Sequence, residues 1–168
     1  MSSRQTSAQG TKNKPAGTKA LFLRAADELL RETVAVTARE KVFPKRTRWQ
    51  FAYELMAIAN RYHTLVMYAN GIEVQDHALF AKRYRAQTMG LAWLYALNAK
   101  MTAAQLCMGI DADLLAYWAR LYVEARTRTQ NWRASDRRRY EKRFGSLTAE
   151  ESREPTIPYE TGESLPLP

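Results

Sequence analysis

The fold is decided by the stretch of residues 76–100, which reads DHALFAKRYRAQTMGLAWLYALNAK. Large apolar residues and two amides recur in it at alternating steps of three and four positions, a spacing typical of one face of an α-helix. These positions are Phe80, Tyr84, Gln87, Leu91, Leu94 and Asn98. Asp76 stands in front of them as a favourable N-cap residue. The stretch therefore predicts a long helix to about Lys100 with one buried face, on which the two amides need hydrogen-bond partners.

The segments before this stretch have the same helical period. Residues 20–40 predict a first helix, which Pro44 separates from the next because the residue before a proline is pushed out of helical geometry. A second helix is predicted from Thr47, its N-cap, to Ala69, with Asn70 and Gly71 as its stop signal. Both segments carry an apolar stripe of the width expected for a helix packed on one side.

The segments after this stretch predict one short turn and a fourth long helix. Residues 102–105 match a capping-box pattern that opens the turn, and Gly109 closes it. Asp111 then caps a helix that extends to about Trp132. Four helices of similar length with short connections predict an all-α fold, an up-down-up-down antiparallel four-helix bundle.

The two ends of the chain have a different composition. Residues 1–18 contain basic side chains and no acid, which predicts a disordered basic arm. Residues 146–168 have a net charge of −4 and four prolines, which predicts a disordered acidic tail. The bundle with its basic C-terminal extension is accordingly assigned to residues 19–145.

The composition favours a basic protein of the cytoplasm. Over 168 residues, 26 lysines and arginines exceed 17 acids and give a net charge of +9, which attracts polyanions such as nucleic acid. The single cysteine, Cys107, cannot form an intrachain disulfide and is expected to be a small buried apolar residue. No apolar run is long enough to predict a membrane span.

The positive charge is concentrated in two segments. Residues 126–145 carry eight basic side chains against Asp136 and Glu141, and residues 39–48 carry five against Glu40. In an up-down-up-down bundle these segments lie at opposite ends. Arginine forks suit phosphate groups, and interleaved aromatic rings can stack on unpaired bases. The stacking candidates are Trp132 and Tyr140. The predicted nucleic-acid-binding residues are Lys45, Arg46, Arg48, Arg126, Arg128, Arg133, Arg137, Arg138, Arg139, Lys142 and Arg143.

Residues suited to catalysis are sparse. The two histidines, His63 and His77, have no metal-ligand spacing with each other or with Cys107. The central glycines are isolated and form no phosphate-binding loop. Asp111 and Asp113 are explained by helix capping. We therefore predict no catalytic residue, no metal site and no cofactor.

A group of motifs resembles a known family. The segments that carry the resemblance are Phe43-Pro44-Lys45 at the entry, Tyr68-Ala69-Asn70, Arg83–Gln87, Tyr117-Trp118 and the run from Trp132 to Tyr140. In these segments the chain resembles the accessory variability determinant (Avd)-like four-helix bundle proteins of diversity-generating retroelements. That family is itself similar to the S23/intervening-sequence bundle proteins. The run from Trp132 is the most specific of these motifs, although Asn131 and Ala134 depart from the family's frequent glycine and lysine. The resemblance covers roughly 100 residues, between the terminal segments.

The resemblance implies a non-catalytic function. Avd-like proteins form a homopentamer that binds a reverse transcriptase and its template RNA during mutagenic cDNA synthesis. An intersubunit surface fits aromatic and methionine side chains that fall off the inward stripes: Tyr53, Met56, Met67, Tyr68, Met89, Trp93, Tyr95 and Tyr122. A wide core face explains the same residues. Two other functions remain open, namely a bundle that binds structured or ribosomal RNA without a polymerase and a protein–protein scaffold.

Overall fold

The structure is a computed structural model that describes residues 21–153. Within this range the chain is all-helical and contains no strand. The helices are α1 (Leu21–Ala38), α2 (Arg48–Gly71), α3 (His77–Met108), α4 (Ala112–Phe144) and the short α5 (Ala149–Ser152). The all-helical prediction is confirmed for the described part of the chain.

The four long helices form a bundle-like arrangement in which each packs against two others. Helices α1 and α3 both pack against α2 and α4, and α5 packs against α3. Contacts along α3 and α4 run in opposite order. Tyr95 accepts a hydrogen bond from Gln130, whereas Arg83, earlier in α3, bonds to Asp136, later in α4.

One apolar core fills the space between these helices. Its largest fully buried side chains include Trp118, Tyr62, Phe43 and Leu29. Several buried polar side chains within it are hydrogen-bonded, as an apolar environment favours. The indole Nε1 of Trp118 donates to the hydroxyl of Thr33 at 3.0 Å. This bond joins the inward faces of α1 and α4. The buried residues of α1 and α2 follow the apolar stripes that the sequence predicts.

Helix α3 is longer than the sequence predicts. The short turn predicted at residues 102–105 is wrong, because α3 continues without a break to Met108. Thr102 does not cap a new helix and instead donates its hydroxyl to the carbonyl of Asn98 one turn earlier. Buried Met101 and Ala104 extend the inward stripe through this segment. Gly109 does end the helix, with a positive φ of 60° that a side chain would disfavour.

Helix α4 is also longer than predicted. It does not end near Trp132 but continues for about three further turns to Phe144. The predicted basic C-terminal extension is therefore the second half of a helix. Gly145, with φ of 91°, reverses the chain after it.

The disorder predicted from residue 146 onward is corrected for the residues that the structure describes. Leu147 is buried, and α5 begins in a capping box between Thr148 and Glu151. Residues 154–168 and the predicted arm at 1–18 lie outside the described residues.

Four local predictions also differ from the structure. Thr47 precedes α2 but makes no capping hydrogen bond, since its hydroxyl donates to the Pro44 carbonyl. Gly71 belongs to α2, which ends at an extended Ile72. Asn98 and Cys107, both expected inside, are exposed.

Across residues 21–153, no helix combines the length and the apolar character needed to cross a membrane.

Candidate nucleic-acid interface

The candidate interface is the second half of α4, Arg126–Phe144, which we call the basic half. It carries eight of the basic residues that the sequence predicts as nucleic-acid contacts, within about five helical turns. Because a helix turns 100° per residue, these side chains do not share one face. Five of them form two flanks on either side of the strip that faces the core, and the other three lie outside these flanks.

The first flank faces α3 and consists of Arg126, Arg133 and Arg137. The guanidinium of Arg133 donates to the hydroxyl of Thr88 at 3.1 Å. Arg133 and Arg137 also lie over the ring of Tyr84, at 5.4 and 5.8 Å from its centroid. Cation–π contacts of this kind attract the guanidinium groups to the ring and fix where they lie.

The second flank lies on the α1 side of the helix. Arg128 and Arg139, eleven positions apart, line an open cleft together with Leu21 and Phe22 from the start of α1 and Asn70 from the end of α2. Arg128 makes only a long contact, 3.7 Å, with the exposed carboxylate of Glu124. Exposed pairs of this type contribute little, so the charge of Arg128 remains available to an anion.

Two more cations project outward. Arg138 and Lys142 are exposed and make no hydrogen bond or ion pair with any residue in the described part of the chain. Arg143 lies over the ring of Phe144 at 4.8 Å. These side chains are the most accessible positive charges of the basic half.

A buried carboxylate holds the basic half against α3. Asp136 is 3% exposed, and its Oδ2 accepts hydrogen bonds from Arg83 Nε at 2.8 Å and from Gln87 Nε2 at 2.9 Å. Arg83 also donates to the carbonyl of Ile72 at 2.9 Å. The amide nitrogen of Gln87 thus finds a partner, whereas its amide oxygen is buried without one among the described residues. Asp136 is a positioning residue that sequence reasoning treated only as one of two acids diluting the positive charge.

A second, small core supports the end of the basic half. Val74, Phe80, Tyr84 and Leu147 are buried together there, with Tyr140 partly buried against them. Since Leu147 follows the chain reversal at Gly145, the residues after α4 complete this core.

Helix α5 is fixed beside this core. The imidazole Nε2 of His77 lies 3.3 Å from Glu151 Oε2. Hydrogen bonds from the backbone and side chain of Thr148 lower the pKa of Glu151. The carboxylate therefore stays ionised at neutral pH.

The predicted stacking residues already have aromatic neighbours. Trp132 stacks on Phe22 with ring centroids 3.9 Å apart and an interplanar angle of 9°, and Arg83 lies 5.1 Å from its ring. Tyr140 packs against Phe80 at 5.6 Å. Both residues are only partly exposed, so what they offer a ligand is the part of each ring that lines the cleft.

The other predicted basic segment lies elsewhere. Lys45 and Arg46 are exposed in the connection between α1 and α2. Arg48 instead caps this end of the bundle, donating to the carbonyls of Phe43 and Ala38 at 3.2 and 3.4 Å. Counted by helical rise from the level of Phe22 and Trp132, the end of α1 is about 15 Å from the level of Arg126, where the basic half starts, and about 24 Å from the level of Trp132. The structure does not bring the two segments together.

The positive charge of Arg137 is insensitive to pH in the ordinary range. The hydrogen bond of 2.8 Å from Arg137 Nε to Glu141 raises the pKa of this guanidinium above its already high usual range. Arg137 therefore stays cationic.

Two further features of the described residues concern metal ligands and the cysteine. Between residues 21 and 153, histidine, cysteine, aspartate and glutamate side chains form no group of three or more that could hold a metal ion. Cys107 is exposed at the end of α3, far along that helix from the basic half.

The fold and the site together define a helical, bundle-like protein with a cationic helix surface. Comparison of the chain with protein-family models, with curated proteins and with solved structures finds no match.

Proposed function

We propose that the protein is a non-catalytic accessory protein that binds template RNA together with a reverse transcriptase in a diversity-generating retroelement. The observation that carries the proposal is the basic half of α4, with eight cations on two flanks and an outward edge. Phosphate groups neutralised by such cations release counterions, which gives salt-dependent and largely sequence-independent affinity. The specific retroelement partner rests on the family resemblance.

The proposal includes an up-down-up-down antiparallel topology. It is supported by the opposite order of contacts along α3 and α4 and by a likewise opposite order of contacts along α1 and α4. On α1, Phe22 stacks on Trp132, whereas the later Thr33 bonds to the earlier Trp118. In this topology the long α4 presents its basic half at the end of the bundle where α1 starts.

We further propose a cytoplasmic homo-oligomer, a pentamer by family resemblance. Four of the residues assigned to an intersubunit surface, Tyr53, Met67, Tyr68 and Tyr95, are 46–59% exposed. Trp49 adds a ring that is 64% exposed. Trp93 and Tyr122 from the same set are buried, Met56 and Met89 partly so, and these four contribute instead to the monomer.

A triple substitution tests the RNA-binding role. Replacing Arg137, Arg138 and Arg139 with alanine is expected to weaken RNA binding at least tenfold. It should also flatten the slope of log K against log salt by about 2, since each single-stranded phosphate contact contributes about 0.7. Affinity is measured by fluorescence anisotropy and helicity by circular dichroism.

The matched control removes the same charge from exposed positions outside the basic half, as Arg24→Ala, Arg31→Ala and Arg120→Ala. It should retain most of the affinity. Equal losses in both triple variants would mean that only net charge matters and would contradict the assignment to α4.

Copurification separates the alternative functions. RNA recovered with a reverse transcriptase supports the proposal. RNA recovered with ribosomal components supports a structured-RNA bundle, and an acidic protein without RNA supports a scaffold.

A further inference from the structure

A cleft lies beside the basic half. Phe22 of α1 stacks on Trp132 of α4, and helix α4 continues for about 18 Å beyond that level. The space between the first described turn of α1, the end of α2 and the basic half has a volume of about 470 Å³. Ligand pockets are typically about 300–1,000 Å³.

The walls of the cleft combine flat apolar surface with free hydrogen-bonding groups. Trp132 and Tyr140 contribute the aromatic surface. Asn70, Asn131 and Ser135 contribute amide and hydroxyl groups that bond to no residue in the part of the chain that the structure describes. An amide offers both a donor and an acceptor. A flat heteroaromatic ring with polar edges matches this combination.

Two exposed arginines stand along the cleft, and among the described residues the one ion-pair contact that either of them makes is that of Arg128 with exposed Glu124 at 3.7 Å. Arg83 and Asp136 also line it but neutralise each other. Arg128 and Arg139 remain, separated by about 16 Å of helical rise. This spacing places one cation toward each end of the cleft rather than two on a single phosphate.

We propose that the cleft holds one unpaired nucleotide of a bound RNA strand. Its base lies against the aromatic and amide wall, and phosphates of the strand further before and after this nucleotide lie at Arg128 and Arg139. The inference rests on the proposed RNA-binding function and specifies how the strand is held. A base inside a duplex is paired and stacked and cannot enter the cleft without being extruded. The site therefore gives single-stranded RNA an advantage over duplex RNA that charge alone does not supply.

A substitution that fills the cleft without changing charge tests this. Ser135→Phe places a phenyl ring in the cleft, and Ala134→Phe places the same ring on the exposed neighbouring position. Affinities for a single-stranded RNA and for a duplex RNA of the same length are measured at one salt concentration. Ser135→Phe should weaken single-stranded binding about tenfold, in the range of one lost base contact, and leave duplex binding unchanged. Ala134→Phe should change neither by more than about twofold.

A second pair of variants keeps the test valid if Ser135→Phe does not fold. Arg128→Ala with Arg139→Ala should remove the preference for single-stranded RNA. The double variant Arg138→Ala with Lys142→Ala removes the same charge outside the cleft wall. It should lower the affinities for single-stranded and duplex RNA by equal factors. Equal behaviour of the two double variants would overturn the cleft assignment.

The remaining outcomes distinguish the cleft from the general RNA-binding role. If the wild-type protein binds RNA but Ser135→Phe behaves like Ala134→Phe, the cleft assignment fails and the proposed function stands. If the wild-type protein binds no RNA, both fail. Nucleoside monophosphates should compete only at millimolar concentration, since they lack the flanking phosphates. Competition at micromolar concentration would overturn the proposal in favour of a free-nucleotide site.

Discussion

The two halves of α4 belong to one helix but are held by different forces. The first half, Ala112–Ala125, buries Trp118, Leu121 and Tyr122 in the main core. The basic half places Trp132, Tyr140 and Phe144 only partly buried against the two cores and is also fixed through Asp136 and its bonds to α3. The free energy gained by apolar burial is roughly proportional to the buried area and does not depend on the direction of the contacts. A buried carboxylate, in contrast, is stable only when its hydrogen-bond partners are in place. The first half therefore builds the fold, and the second positions charge.

Truncating the main core should have the largest effect. Trp118→Ala removes a fully buried indole and the hydrogen bond to Thr33, and we expect a loss of about 4 kcal/mol in the free energy of unfolding. Tyr117→Ala, at the exposed neighbouring position, should change it by about 0.5 kcal/mol or less. Urea titrations of the two variants measure the difference. A loss of under 1 kcal/mol for Trp118→Ala would place the main core elsewhere.

Removing the buried carboxylate should destabilise somewhat less. Asp136→Ala leaves Arg83, whose side chain is 12% exposed, without its counter-ion, although the Ile72 carbonyl still accepts from it. We expect a loss of about 3 kcal/mol and weaker RNA binding. Glu124→Ala removes the same charge from an exposed pair and serves as the control. If Asp136→Ala unfolds like Glu124→Ala, the basic half is not held as described.

A tyrosine at the junction of the two halves gives a pH signature. Tyr62 shares a 2.8 Å hydrogen bond with Thr129, and burial raises its pKa to about 12. Between pH 10 and 12 the unfolded chain loses this proton while the folded chain keeps it, so stability falls as pH rises, by about 2–3 kcal/mol from this group.

The variant Tyr62→Phe isolates this contribution. At pH 7 its free energy of unfolding should be about 1 kcal/mol lower than that of the wild type, because the hydrogen bond is missing. As the pH rises, its free energy of unfolding should fall less steeply than that of the wild type. Parallel denaturant titrations at pH 8 and pH 11 compare the two. Identical declines would mean that Tyr62 titrates normally.

The difference between the halves also explains what the sequence could predict. The stripes on α1 and α2 follow from apolar spacing alone, and Gly109 marks a helix end that only its backbone freedom explains. The sequence misplaces the end of α4 because Asp136 interrupts the apolar stripe after Trp132, although Tyr140 and Phe144 continue it against the second core. The pairing of Asp136 with Arg83 and Gln87 joins positions about 50 residues apart. No local pattern encodes it.

The cleft could not be predicted for the same reason. Its lining comes from four helices, which bring together positions far apart in the chain. The sequence nevertheless identified Arg128 and Arg139 as candidates from charge density, although it did not indicate that they lie on a different flank from Arg133 and Arg137.

The salt dependence of RNA binding by the wild-type protein tests the central claim most directly. Affinity for a single-stranded RNA is measured between 50 and 300 mM salt. If at least three cations of the basic half contact phosphates, log K should fall linearly with log salt with a slope of about −2 or steeper. No measurable binding at the lowest salt, or affinity that does not change with salt, would contradict the claim that this helix surface binds nucleic acid.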